Sequence, residues 1–262
     1  MFVSGGRRIR IRLSPDQILQ IMKKYFVCSL IMSAAGMLLA ADSNPKTDVI
    51  NAAATLSGAD NYAWHSSVNS PNGGRFNGTT DGKTQKDGYT WLSLVRGDNT
   101  ITAVIKGTNG AINTTDNGWQ SLKEATADNG GGGFNPAMFI ARMVSTYQTP
   151  AVQATNLASQ AKELTAGTNG ISGDLTDDGA KALLTFRGGR ANGDGGPTVS
   201  DAKGSVTFWV ADGKLTKYQF HVTGTVSFNG NDRDVDRTTT IEIKDVGTTK
   251  IDVPDEAKKK LE

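Results

Sequence analysis

The sequence predicts an α+β fold, a single domain in which an antiparallel β-sheet packs against a few helices. Three observations lead there. Glycine makes up 31 of 262 residues, about 12% against a usual ~7%, with no collagen-like three-residue period. Short runs of alternating polarity are separated by Asp-Gly and Asn-Gly pairs, which accept the positive φ of tight hairpin turns. A few segments, chiefly 48–56, 135–164 and 175–184, instead space their apolar residues at the helical period.

The length is sufficient to bury a sizeable core. The chain has one cysteine, Cys28, and two histidines, His65 and His221. That inventory argues against disulfide frameworks, zinc ribbons and Cys/His dyads.

The most apolar stretch begins at Met22. Lys23 and Lys24 precede an apolar run from Tyr25 to Leu39, and Leu38-Leu39-Ala40-Ala41 offers small residues for cleavage after Ala40 or Ala41. This pattern reads as a signal peptide over 22–41. A membrane span needs about 20 apolar residues, and the run is shorter. Residues 1–21, with Arg7, Arg8, Arg10 and Arg12, read as an upstream extension from a mis-assigned start. Tyr25-Phe26-Val27 before Cys28 is no lipobox, so the mature chain 42–262 is expected to be a soluble periplasmic protein. Loss of 1–41 removes those four arginines, the two lysines and Asp16, taking the net charge from +2 to −3. A nucleic-acid role thereby loses its electrostatic support.

Each element follows in order. Val49, Ala52, Ala53 and Leu56 share one helical face, and Gly58 ends that helix. Tyr62 to Val68 reads as a strand closed by the turn residues 69–74. A meander follows, with runs 75–80, 83–86, 89–96, 100–106 and 111–115. Its turns are Asp81-Gly82, Asp87-Gly88, 97–99, 107–110 and 116–118, and neighbours in such a meander pair locally. Gly130 to Gly133 mark a hinge or loop. Asn135-Pro136 then starts a helix, with Met138, Phe139, Arg142, Met143 and Tyr147 on one broad face. Thr149-Pro150 starts another, striped by Ala154, Leu157, Ala161 and Leu164. A third opens at Leu175 and runs through Ala180, Leu183 and Leu184. Residues 187–201 read as a mobile glycine-rich loop. The last β region alternates through Val206, Phe208 and Val210, turns at Asp212-Gly213, and continues through Tyr218, Phe220, Val222, Val226 and Phe228. It turns again at 229–231 into Thr238 to Ile243. Ile251 to Val253 close it, ahead of a basic tail at Lys258 to Lys260.

Candidate sites for chemistry are few. Residues 77–84 end like a phosphate-binding loop, but position 77 is Asn and hairpins surround it. Asp232, Asp234 and Asp236 project from one face of a strand. Calcium favours such oxygens, yet Arg237 and Ile243 stand where the loop pattern wants Gly and Glu. His65 and His221 form an acid/base or metal pair only if the fold unites them. There is no Gly-x-Ser-x-Gly elbow, and Glu124, Glu163, Glu242 and Glu256 share no context. No catalytic residue, metal or cofactor is expected, and the chain is not expected to be an enzyme.

The aromatics carry more information. Trp64, Tyr89, Trp91, Trp119, Phe208, Trp209, Tyr218 and Phe220 fall almost entirely on strands. Two readings stay open: the solid core of a sheet packed on helices, or the lining of a cavity for a lipid-like ligand. Phe208 and Trp209 are adjacent and face opposite ways, so one of them needs a second cover.

Four segments resemble a known order of strands: Gly204-Ser-Val-Thr-Phe-Trp-Val210, Gly213-Lys-Leu-Thr-Lys-Tyr218, Thr240-Ile-Glu-Ile-Lys-Asp-Val-Gly247 and Ile251-Asp-Val-Pro-Asp-Glu-Ala257. Ile171 to Ala180 with Leu183-Leu184, and an initial helix followed by a Tyr-x-Trp strand, fit the same layout. The chain resembles the periplasmic lipoprotein-carrier superfamily, which includes LolA-like carriers and LppX/LprG-like lipid-binding lipoproteins, and also uncharacterised exported bacterial proteins. The resemblance implies a curved sheet, a half-open barrel wrapped around helices, with a cavity for acyl chains. The missing lipobox and the glycine-rich inserts at 130–133 and 188–196 depart from that pattern. Trp64, Trp91, Phe139, Met143, Tyr218 and Phe220 are the residues expected to line the cavity. The function expected is holding or carrying a hydrophobic ligand, a lipid or lipoprotein acyl chain. The alternative is a non-enzymatic envelope scaffold or protein-interaction module, itself with a solid core, that binds another envelope protein.

Overall fold

Asn44 caps the first helix, α1 (Pro45–Gly58), its side chain accepting from the Lys46 N–H while Pro45 takes the first helical position. The structure, a computed structural model, describes residues 44–71, 77–86, 88–127, 136–185, 197–228 and 230–262. The upstream extension, the signal peptide at 22–41 with Cys28, the glycines 130–133 and most of the 187–201 loop lie outside the described residues.

Six strands follow α1: β1 (Asn61–Asn69), β2 (Gly78–Gln85), β3 (Tyr89–Arg96), β4 (Asn99–Lys106), β5 (Asn109–Thr114) and β6 (Gly118–Ser121). The helices α2 (Leu122–Thr126), α3 (Pro136–Ser145) and α4 (Pro150–Gln160) come next. Two short strands, β7 (Thr165–Gly167) and β8 (Gly170–Asp174), lead to α5 (Asp177–Leu184). Three long strands, β9 (Thr198–Ala211), β10 (Lys214–Phe228) and β11 (Asn231–Lys244), precede α6 (Asp255–Lys260).

All eleven strands form one antiparallel sheet in the order β6-β5-β4-β3-β2-β1-β11-β10-β9-β8-β7. The first strand thus pairs with the last, Trp64 opposite Ile243. The sheet curves around the helices and does not close, and its edges are β6 and β7.

Alternation along the strands divides the side chains between two faces. The inner face buries Leu92, Leu94, Phe208, Tyr218 and Ile241 against α1 and α4. Ala52 and Ala53 of α1 and Ala151, Ala154 and Ala158 of α4 are all buried, and these small side chains let the two helices pack together. On the outer face, Val253, Ala257 and Leu261 cover Val104 and Ala111, with Tyr89, Trp91 and Trp119 packed around them. Trp209, the outward neighbour of buried Phe208, lies under Lys217, whose Nζ is 4.8 Å from the ring centroid. A third cluster joins Ala180 and Leu184 of α5 to Val222 of β10.

Several expectations need correction. Asp81-Gly82 is not a turn, because β2 runs straight through it. Gly82 has a packing role instead, set out below. Thr198 to Asp201 belong to β9 rather than to a loop. The basic run at 258–260 is the last turn of α6, where positive charge suits the helix C-terminus. Tyr147 lies beyond α3, and Ala161 and Leu164 lie beyond α4, though both of the latter remain buried. The edge strands β6 and β7, and β8, were not foreseen.

Candidate ligand cavity

A cavity of about 350 Å³ lies between the inner face of the sheet and the helical layer. Period-two alternation builds its floor. Trp64, Ser66 and Val68 come from β1, Leu92 and Leu94 from β3, Tyr218 and Phe220 from β10, and Arg237, Thr239 and Ile241 from β11. The roof is the end of α3, the 146–149 connector and α4, through Met143, Tyr147, Gln153 and Leu157. Leu183 of α5 adds to one side.

Polar groups in this wall are mostly paired. The Tyr218 hydroxyl donates to Gln153 Oε1 at 2.7 Å, and Asn156 Nδ2 donates to Gln148 Oε1 at 3.1 Å. Arg237 Nη2 donates to the Leu183 carbonyl at 2.7 Å, and burial pushes its guanidinium below the ordinary value. Burial pushes the phenols of Tyr62, Tyr147 and Tyr218 up, so all three are neutral across the physiological range. Trp64 and Tyr147 stack with ring centroids 5.9 Å apart and planes 13° from parallel. The indole N–H of Trp64 and the hydroxyl of Tyr147 are buried without a hydrogen-bond partner among the described residues.

Of the six residues expected to line a cavity, four come together here: Trp64, Met143, Tyr218 and Phe220. Phe139 packs against the main core outside the cavity. Trp91 faces the other way, since the alternation that turns Leu92 and Leu94 inward sends it outward beneath Lys83, 5.7 Å from its ring. Ser66, Leu92, Leu94, Tyr147, Thr239 and Ile241 were not anticipated. Counting in twos from Trp64 and from Tyr218 finds the strand residues Ser66 and Phe220, but their partners on β3 and β11 follow only from the register.

The histidines stand apart. His65 Nδ1 meets Asp81 Oδ1 at 2.7 Å across β1 and β2, and His221 Nε2 meets Asp236 Oδ1 at 2.8 Å across β10 and β11. Both pairs alternate with cavity-lining neighbours and so point outward, and β11 separates the two histidine strands. Asp234 accepts from Thr225 Oγ1 at 2.8 Å. Among the described residues no group of three or more His, Cys, Asp or Glu is placed to hold a metal ion. No described helix is long and apolar enough to cross a membrane.

No known sequence family and no curated protein sequence matches the chain. Solved structures do resemble it. Lipoprotein LppX of Mycobacterium tuberculosis has a TM-score of 0.46 at 12% identity, covering 82% of this chain and 100% of its own. LprF of Mycobacterium bovis has a TM-score of 0.42 at 11% identity, covering 81% and 97%. A LolA superfamily protein of Nitrosomonas europaea has a TM-score of 0.30 at 9% identity, covering 81% and 96%.

Proposed function

We propose that this protein holds one acyl chain of a lipid or lipoprotein in the cavity between sheet and helices. The observation that carries this reading is the cavity itself: its floor is formed by Trp64, Leu92, Leu94, Phe220 and Ile241, and Arg237 is the one ionisable cation among its described lining residues. That apolar floor favours a hydrocarbon chain, with Gln148, Gln153, Asn156 and Gln160 on the helical side. Ligand cavities run from roughly 300 to 1,000 Å³, so this volume suits one chain rather than several. Each methylene buried contributes about 0.8 kcal/mol, whereas association costs roughly 4–15 kcal/mol. A chain of more than about ten carbons is therefore needed for useful affinity. Trp64, Met143, Tyr218 and Phe220 are the contact residues.

The lysine-headed apolar segment 22–41 supports export to the periplasm. A scaffold with a solid core would leave no such space. The test is native mass spectrometry of the protein purified from the envelope without detergent, followed by lipid extraction. A stoichiometric adduct of acyl-chain mass is expected. A ligand-free mass, together with no binding of added methyl hexadecanoate, would overturn the proposal.

A further inference from the structure

Two hydrogen-bond donors of cavity-lining residues have no acceptor among the described residues. Trp64 is only 5% exposed, and its Nε1–H has no partner among the described residues. The Tyr147 hydroxyl is likewise sealed and unpartnered. The two rings are stacked, so both donors belong to one patch of the wall. Buried polar groups are nearly always satisfied, and each one left unmade bears its full desolvation cost. Tyr218, by contrast, has its acceptor in Gln153. The other two unpartnered buried atoms, Thr114 Oγ1 and Gln120 Oε1, lie on β5 and β6 away from the cavity.

We infer that the ligand is more than a hydrocarbon and carries a neutral acceptor oxygen, such as an ester carbonyl, that seats against Trp64 Nε1 and the Tyr147 hydroxyl; this rests on the acyl-chain reading of the cavity. Both donors are sealed in the ligand-free protein, so the oxygen must displace one ring to reach them. The charge of the site selects an ester over a carboxylate. Trp64 pairs with Ile243, six positions along β11 from Arg237, so the two backbones are about 20 Å apart at strand rise. The phenols nearest Tyr147, those of Tyr62 and Tyr218, are neutral. A carboxylate at this point would be a buried charge whose nearest lining cation, among the described residues, is anchored six positions along β11.

The experiment compares methyl hexadecanoate, labelled with carbon-13 at its carbonyl, with hexadecane. Binding of each is measured on the full chain as wild type, Tyr147→Phe and Trp64→Phe. Each substitution should weaken the ester about fivefold relative to hexadecane measured on the same variant, the worth of one neutral hydrogen bond. The ester's carbonyl infrared band should lie lower in the wild type than in either variant. Tyr147→Phe removes one oxygen only, so it keeps the test valid if Trp64→Phe perturbs folding. Equal binding of ester and hexadecane, with the band unmoved by either substitution, would overturn the acceptor site and leave the acyl-chain reading standing. Binding of neither probe by the wild type would overturn both.

Discussion

The indole of Trp64 lies flat on Gly82, its direct partner across the β1–β2 ladder, and fills the space that a Cβ at position 82 would occupy. This explains why an Asp-Gly pair that reads as a turn sits within a strand: the glycine is there for clearance. Gly82→Ala should push the ring into the cavity and break its stack on Tyr147. Overpacking of this kind costs about 1–3 kcal/mol. Urea denaturation should show a lower midpoint with an unchanged slope, and acyl-chain binding should weaken in parallel.

Tyr147→Phe should act in the opposite direction on the ligand-free protein. Its hydroxyl is buried without a partner among the described residues, so removing it relieves a desolvation cost on the order of 1 kcal/mol. A higher unfolding midpoint is expected, and a lower one would mean that the hydroxyl is satisfied after all.

Tyr218→Phe should destabilise. That hydroxyl donates to Gln153 Oε1 within the wall, and its loss leaves a buried amide oxygen unpaired. A cost of about 1–2 kcal/mol is expected by chemical denaturation. The contrast between two tyrosines in one cavity is the sharper check, because ring volume is preserved in both variants.

The C-terminal helix should respond to pH. Lys260 Nζ donates to Glu124 at 2.7 and 3.0 Å. That bond, together with the Ser121 N–H, holds the Glu124 carboxyl below its ordinary value. Lys258 likewise lowers Asp255 and is itself raised by it. A lowered carboxylate lends stability above its ordinary pKa and loses it as pH falls through the lowered value. A raised lysine lends stability below its ordinary pKa and loses it as pH rises through the raised value. The hold on α6 should therefore weaken at both extremes. The groups are exposed, so the effect should be small and diminish with salt. Amide exchange across α6 reports it, and Glu124→Gln should flatten the acid side.

Alanine at both His65 and His221 should leave acyl-chain binding intact and change stability by less than about 1 kcal/mol, as for other exposed ion pairs. Loss of binding in the double variant would show that the outer face takes part in function.

Much of this architecture is legible in the sequence because turn chemistry and alternation are local. Gly97, Gly107 and Gly213 adopt positive φ in hairpins that the dipeptides announce, and the inward set of β10 follows from alternation through Tyr218, Phe220 and Val222. The cavity is less legible. Trp91 is as aromatic as Trp64, and only the side to which β3 turns decides that Leu92, one residue on, lines the cavity. Tyr147 seemed to continue a helical face, yet it enters the cavity from a connector. Arg237 directly follows the alternating Asp232, Asp234 and Asp236, and only the register places it opposite Val222 on the inner face. Long-range pairing, which no local pattern encodes, settles each of these.

The brevity of β6 and β7 has its own consequence. An open sheet exposes unpaired N–H and C=O groups along both margins, and a second chain polymerises onto such margins when they are long and flat. Here eleven strands end in margins of four and three residues. An extended segment of a neighbouring molecule would gain too few ladder bonds there to offset its own ordering. A sheet that curls around a hollow without closing thus gives other copies of itself little backbone to grip.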